Sequence, residues 1–109
     1  MFVNRDQIKV GIKQYIENEL APKITDSKIK FLMWLGMPIL VNDAMKEVNK
    51  LTDNESAKEI YLDVNGNINI DELRTNGIYA MNKCGGKVLY KDIWFDETDI
   101  NKLYNYIKG

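Results

Sequence analysis

Apolar side chains recur at helical spacing from the start of the chain. Ile8, Ile12, Tyr15, Ile16 and Leu20 fall on one face of a helix. Asn4 supplies its N-cap, with Gln7 at the third helical position in a capping-box arrangement. Ala21-Pro22 predicts its end, because proline drives the preceding residue out of the α region. A second stripe, Ile29, Leu32, Met33 and Leu35, follows a start at Asp26 or Ser27. Gly36-Met37-Pro38 predicts a break or kink, since proline lacks an amide donor and its ring clashes with the preceding turn. With Pro38 opening a third helix, Val41, Ala44, Met45, Val48 and Leu51 form its buried face. The N-terminal half therefore reads as a three-helix unit.

The pattern is mixed after that. Residues 52–56 are polar and loop-like, and residues 57–64 fit either a short helical turn or a strand at Ile60-Tyr61-Leu62. Asn65-Gly66 is a turn signal. Asn69 caps a fourth helix, with Glu72 at its third position and Ile70, Leu73, Gly77, Ala80, Met81 and Cys84 facing inward. Gly85-Gly86 ends that helix. Residues 87–95 are β-branched and aromatic, which predicts one strand or a hairpin turning at Lys91-Asp92. Asp96 caps a last helix, Glu97 and Asp99 suit its first turn, and Ile100, Leu103, Tyr104 and Ile107 dock it. The expected fold is one compact, helix-rich α+β domain over residues 1–109.

Composition narrows the chemistry more than the fold. The 109 residues include no histidine and one cysteine. That excludes Ser-His-Asp triads, Cys-His dyads, His-ligated metals, internal disulfides and cysteine-clustered metal centres. Hydrophobic residues make up 45% of the chain, enough for a chain of this size to hold one core. The net charge is −1, and Arg5 and Arg74 are the only arginines. Nucleic acid and anionic membranes both reward a strongly basic face, so neither is an expected partner. The longest apolar run, residues 31–41, contains Gly36 and Pro38. It falls well short of the roughly 20 residues of a spanning helix, so a core segment is expected. The first residues lack a secretory signal pattern, and the lone Cys84 fits a reducing compartment, so the cytoplasm is the expected location. No cofactor is expected.

Residues 61–72 carry one pattern that looks like chemistry. Aligned on Gly66, they resemble an EF-hand calcium loop, with Asp63, Asn65 and Asn67 around the turn, Asn69 ninth and Glu72 twelfth. Tyr61 stands where the first carboxylate ligand belongs, leaving two carboxylates for a divalent cation. The same residues also make an ordinary turn followed by a helix cap, and no metal site is expected. Cys84 has no histidine as base and sits at a helix C-terminus, which disfavours a thiolate. Asp92 and Asp96 flank Trp94 without any sign of a shared cleft, and Gly85-Gly86-Lys87 is too short for a phosphate loop.

The aromatic residues leave two readings open. In a single strand Tyr90 and Trp94 share one side while Ile93 and Phe95 share the other, and Phe31 and Trp34 lie beside the main stripe of the second helix. Such side chains either close a small core or form a protein contact surface, for which Trp34, Tyr90, Trp94 and Tyr106 are the candidates. A helix trio followed by a hairpin also suggests a winged helix, with Lys87 and Lys91 on the wing. The acidic pI of 5.4 argues against it, as does the mixing of Arg74, Asn76 and Lys83 with Asp71 and Glu72 on the fourth helix.

Two stretches, Asp63-Val64-Asn65-Gly66-Asn67-Ile68-Asn69-Ile70-Asp71-Glu72-Leu73 and Phe95-Asp96-Glu97-Thr98-Asp99-Ile100-Asn101-Lys102-Leu103-Tyr104, resemble small proteins encoded in phages and prophages of low-GC Gram-positive bacteria. The resemblance implies a role in virion structure, assembly or host takeover, including association with the virion, and transfers no catalytic residue. The expected function is a non-enzymatic protein-interaction or assembly role, through a protein partner or self-association. The alternatives are a small winged-helix-like DNA-binding regulator and a weak calcium-binding module.

Overall fold

Asn4 starts the first helix as its position predicts, its side chain accepting from the Gln7 amide at 2.8 Å. Gln7 does not complete a capping box; its side-chain amide instead reaches the Ile107 carbonyl at 3.5 Å. The computed structural model describes residues 1–90 and 93–109; the predicted turn at Lys91-Asp92 and the side chain of Tyr90 lie outside the described residues. The order is β1 (Phe2–Val3), α1 (Arg5–Tyr15), α2 (Ser27–Thr52), α3 (Lys58–Tyr61), β2 (Ile68–Asn69), α4 (Ile70–Lys83), β3 (Lys87–Tyr90), β4 (Ile93–Asp96) and α5 (Glu97–Lys108). The helix of α1 continues as a π-helical turn, Ile16–Leu20, and a 3-10 turn, Ala21–Lys23, which carries Pro22 inside it and ends where Ile24 turns extended. The fold is helix-rich α+β, as its periodicity predicts.

Residues 27–52 form one helix, where the sequence predicts two separated at Pro38. Asp26 caps it, accepting from Lys28 N at 2.8 Å and Ile29 N at 3.2 Å. Proline deprives the Trp34 carbonyl of its usual donor, but both residues are exposed, so water can take that bond. Met33, Met37 and Met45 lie buried along the other side, and their burial offsets the lost bond.

Two antiparallel strand pairs complete the fold. β1 pairs with β2, Val3 opposite Ile68, which brings the chain start onto the 61–72 loop. This pair carries too few residues to show alternation in the sequence. β3 and β4 form the hairpin, with Val88 opposite Phe95 and Leu89 opposite Trp94. Gly85 and Gly86 end α4 at φ +86° and +88°, with the Gly86 amide returning to Met81 and the Gly85 amide to Asn82. That bond pattern is a Schellman cap, and it needs the left-handed residue glycine supplies.

The core forms where α1 and its extension meet α2, β2 and α5. It contains Val3, Ile8, Ile12, Tyr15, Ile16, Leu20, Ile68, Ile70 and Ile107, with Leu103 and Phe95 packed against it. Helices α1 and α5 touch closely at Gly11, where an added Cβ would come within 2.6 Å of the Ile107 Cα. Three tyrosine–carboxylate bonds fix α5 to its neighbours. Tyr15 donates to Asp99 at 2.8 Å, Tyr106 to Glu19 at 3.0 Å and Tyr104 to Asp71 at 2.6 Å.

Candidate interaction surface

The predicted inward stripe of α2's first half, Ile29, Leu32 and Leu35, faces outward apart from Met33. A 26-residue helix is about 39 Å long. Its second half lies on the body through Val41, Ala44, Met45 and Val48, while Leu51 is exposed. In the first half, Ile29, Phe31, Leu32, Trp34, Leu35 and Ile39 are between 46 and 64% exposed. Farther along the helix the exposed residues are Asn42, Lys46, Glu47 and Lys50, followed by Leu51 near its end. The uncovered side of α2 therefore changes from apolar to polar near residue 40.

Those six side chains leave on the order of 600 Å² uncovered, the upper end of what a monomer's largest apolar patch usually shows. Beside them runs a groove of about 830 Å³, walled by Ile29, Leu32, Met33 and Leu40 of α2 and by Ile16, Phe95 and Leu103 of the body. Scattered exposed apolar residues are ordinary on any protein, but a helical segment with this many is not.

The four predicted contact residues do not form one patch. Trp34 belongs to the α2 face. Trp94 is exposed on the hairpin, where Lys87 Nζ lies 5.1 Å from its ring centre and Leu89 is its exposed partner across the pair. Tyr90 pairs with Ile93 along the backbone, and its side chain is outside the described residues. Tyr106 turns inward: half-buried, it bonds Glu19 and meets Tyr15 edge-on with ring centres 6.3 Å apart. Phe31 and Trp34 beside the stripe were the sequence signal for this surface. Leu32, Leu35 and Ile39 join it only because α2 continues through Pro38.

The loop at 61–72 is held by bonds of its own. Asp63 Oδ1 accepts from the Asn65 and Asn67 amides at 2.9 Å each, and Gly66 has φ +78°. Asn69 caps α4, accepting from the Asp71 amide at 3.1 Å and the Glu72 amide at 3.3 Å. Tyr61, at the first place of the calcium pattern, is buried and accepts from Asn76 Nδ2 at 2.6 Å. Arg5 ties this loop to α2: its guanidinium donates to Gly66 O at 3.4 Å, Asn49 Oδ1 at 3.1 Å and Thr52 Oγ1 at 3.2 Å. Sequence alone gave Arg5 no role, because its partners lie 44 to 61 positions away. Calorimetric titration with millimolar calcium is expected to give no binding heat; a saturable heat lost in Glu72→Gln would show that the loop takes a cation.

Cys84 is exposed, not facing inward as its place in the α4 stripe predicts, and Ala80 is exposed too. Among the described residues no group of three or more Cys, Asp or Glu side chains is placed to hold a metal, and no helix is long and apolar enough to cross a membrane. No protein-family model, curated protein or solved structure matches this chain.

Proposed function

We propose that this chain is a non-enzymatic protein-interaction or assembly domain that works through the apolar face of α2. The observation that carries the reading is the exposure of Ile29, Phe31, Leu32, Trp34, Leu35 and Ile39 on one helix whose continuation is polar. The tyrosine–carboxylate bonds tie α5 to its neighbours and the Arg5 clamp ties the 61–72 loop to the end of α2, so the polar groups found there have structural partners. A phage or prophage origin, as the resemblance implies, makes virion assembly or host takeover the setting, with the protein in the cytoplasm or on the particle.

Two measurements test this reading together. Leu32→Glu combined with Leu35→Glu is expected to change unfolding stability by less than about 0.5 kcal/mol, since neither side chain packs in the core. A loss above about 2 kcal/mol would show that the face belongs to the chain's own core. A photo-crosslinker at position 35, in cells that produce the protein, is expected to trap a protein that the same group at the exposed Lys108 does not trap. Equal labelling from both positions would overturn the reading.

A further inference from the structure

A glycine that nothing in the fold requires sits at the centre of this apolar face. A Cβ built on Gly36 would meet no atom within 4 Å, whereas one on Gly11 would strike Ile107. Glycine inside a helix is less stable than alanine, so a contact within this chain does not explain Gly36. Helical spacing puts Gly36 on the same side as the exposed Leu32, Leu35 and Ile39. A small residue in the middle of an apolar helix face lets a second helix approach closely, because side-chain size at the contact sets the distance between axes.

We infer that α2 pairs with α2 of a second copy of this chain, antiparallel, the two helices crossing at Gly36. The inference rests on reading this face as a binding surface, and it specifies the occupant. Charge selects both the copy and the direction. With Leu35 of one copy beside Gly36 of the other, Leu32 lies opposite Ile39 and Lys28 opposite Asp43, and Asp26 comes within one residue of Lys46. Each contact occurs twice by two-fold symmetry, joining apolar to apolar and base to acid. A parallel pair would set Lys28 against Lys28 and Lys46 against Lys46. Extent agrees as well. The uncovered apolar area, on the order of 600 Å² per copy, approaches the roughly 800 Å² per partner of a standard interface, with the stems of Lys28 and Lys46 at its margins. The exposed apolar section, residues 29–39, is centred within two residues of the proposed crossing.

Sedimentation of the full chain from low micromolar to submillimolar concentration tests the pairing. Wild type is expected to show a monomer–dimer equilibrium. Leu35→Glu is expected to raise the dimer dissociation constant about a hundredfold. Gly36→Ala is expected to raise it about tenfold while moving the monomer's urea midpoint upward, a combination that a merely structural glycine does not produce. With Cys84→Ser as background, Leu35→Cys is expected to form a cross-chain disulfide and Lys50→Cys is not, because antiparallel helices carry position 50 away from its counterpart. A monomer at every concentration, a dimer indifferent to Leu35→Glu, or a cross-link at position 50 overturns the inference. If the protein is monomeric and position 35 still crosslinks a different protein, the surface reading survives and the second copy does not.

Discussion

Gly11→Ala is expected to destabilise the protein by about 2–3 kcal/mol, lowering Tm by on the order of 10–20 °C. The added methyl group would lie 2.5 Å from Ile107 Cγ1, 2.6 Å from its Cα and 2.8 Å from its N. Two of those atoms are backbone, so a change of rotamer at Ile107 cannot relieve the contact. Helix α5 would have to move, and it is held by Tyr106 on Glu19, Tyr104 on Asp71 and Asp99 on Tyr15. Alanine gains about 1 kcal/mol of helix propensity over glycine, which reduces the loss without reversing it. Urea unfolding checks the result: the midpoint should fall while the slope stays constant, because the same surface is exposed. A midpoint equal to wild type would show that α1 and α5 are not packed at this distance.

Two of the helix glycines, Gly11 and Gly36, show how far the sequence could be read. Gly11 lies in a well-capped amphipathic helix, and that helix is legible from Asn4 and the stripe Ile8, Ile12, Tyr15 and Ile16. Its contact with Ile107 is not, because 96 positions separate the two residues and no local pattern encodes which helix lies alongside. Gly36-Met37-Pro38 predicts a break for a sound local reason. The helix runs through because the methionines on either side are buried together, a long-range effect that outweighs the loss of one exposed hydrogen bond. That continuity is also what creates the candidate surface. Two separate helices could each have turned an apolar stripe inward, whereas one continuous helix docked through its second half leaves its first half uncovered. The caps at Asp26, Asn69 and Asp96 and the stop at Gly85-Gly86 were readable, because each is complete within six residues. Arg5, Asp99 and the β1–β2 pair required the tertiary structure.

Asp99 is the residue whose ionisation is expected to matter most. Its Oδ2 accepts from the Asp96 amide at 2.9 Å while the Asp96 carboxylate accepts from the Asp99 amide at 3.3 Å, a reciprocal cap. Its Oδ1 accepts from the Tyr15 hydroxyl, and Lys23 Nζ lies 3.8 Å away. Burial pushes the Asp99 carboxyl up, but the Asp96 amide, the Tyr15 hydroxyl and Lys23 together outweigh it and hold it below the ordinary carboxylate range. Glu19 is lowered too, by the Tyr106 hydroxyl and then by Lys102. A carboxyl whose folded pKa is depressed stabilises fully above its unfolded pKa and loses that contribution as pH falls through the folded one. Tyr15 behaves oppositely. Burial, followed by the bond to Asp99, raises its pKa above the ordinary 10.0, so its contribution is full below that value and is lost as pH rises above it. With no histidine in the chain, urea midpoints are expected to be level from about pH 6 to 9 and to decline on both sides. Asp99→Ala is expected to cost about 3 kcal/mol at neutral pH, because it opens the cap and leaves the buried Tyr15 hydroxyl without its acceptor. Tyr15→Phe should shrink both limbs: the acid one because Asp99 loses a hydroxyl that lowers its pKa, and the alkaline one to the share left by Tyr104 and Tyr106, which their bonds to Asp71 and Glu19 also raise. If Tyr15→Phe and wild type lose stability in parallel above pH 10, the alkaline limb belongs to another group and the Tyr15–Asp99 bond is not what fixes α5 against α1.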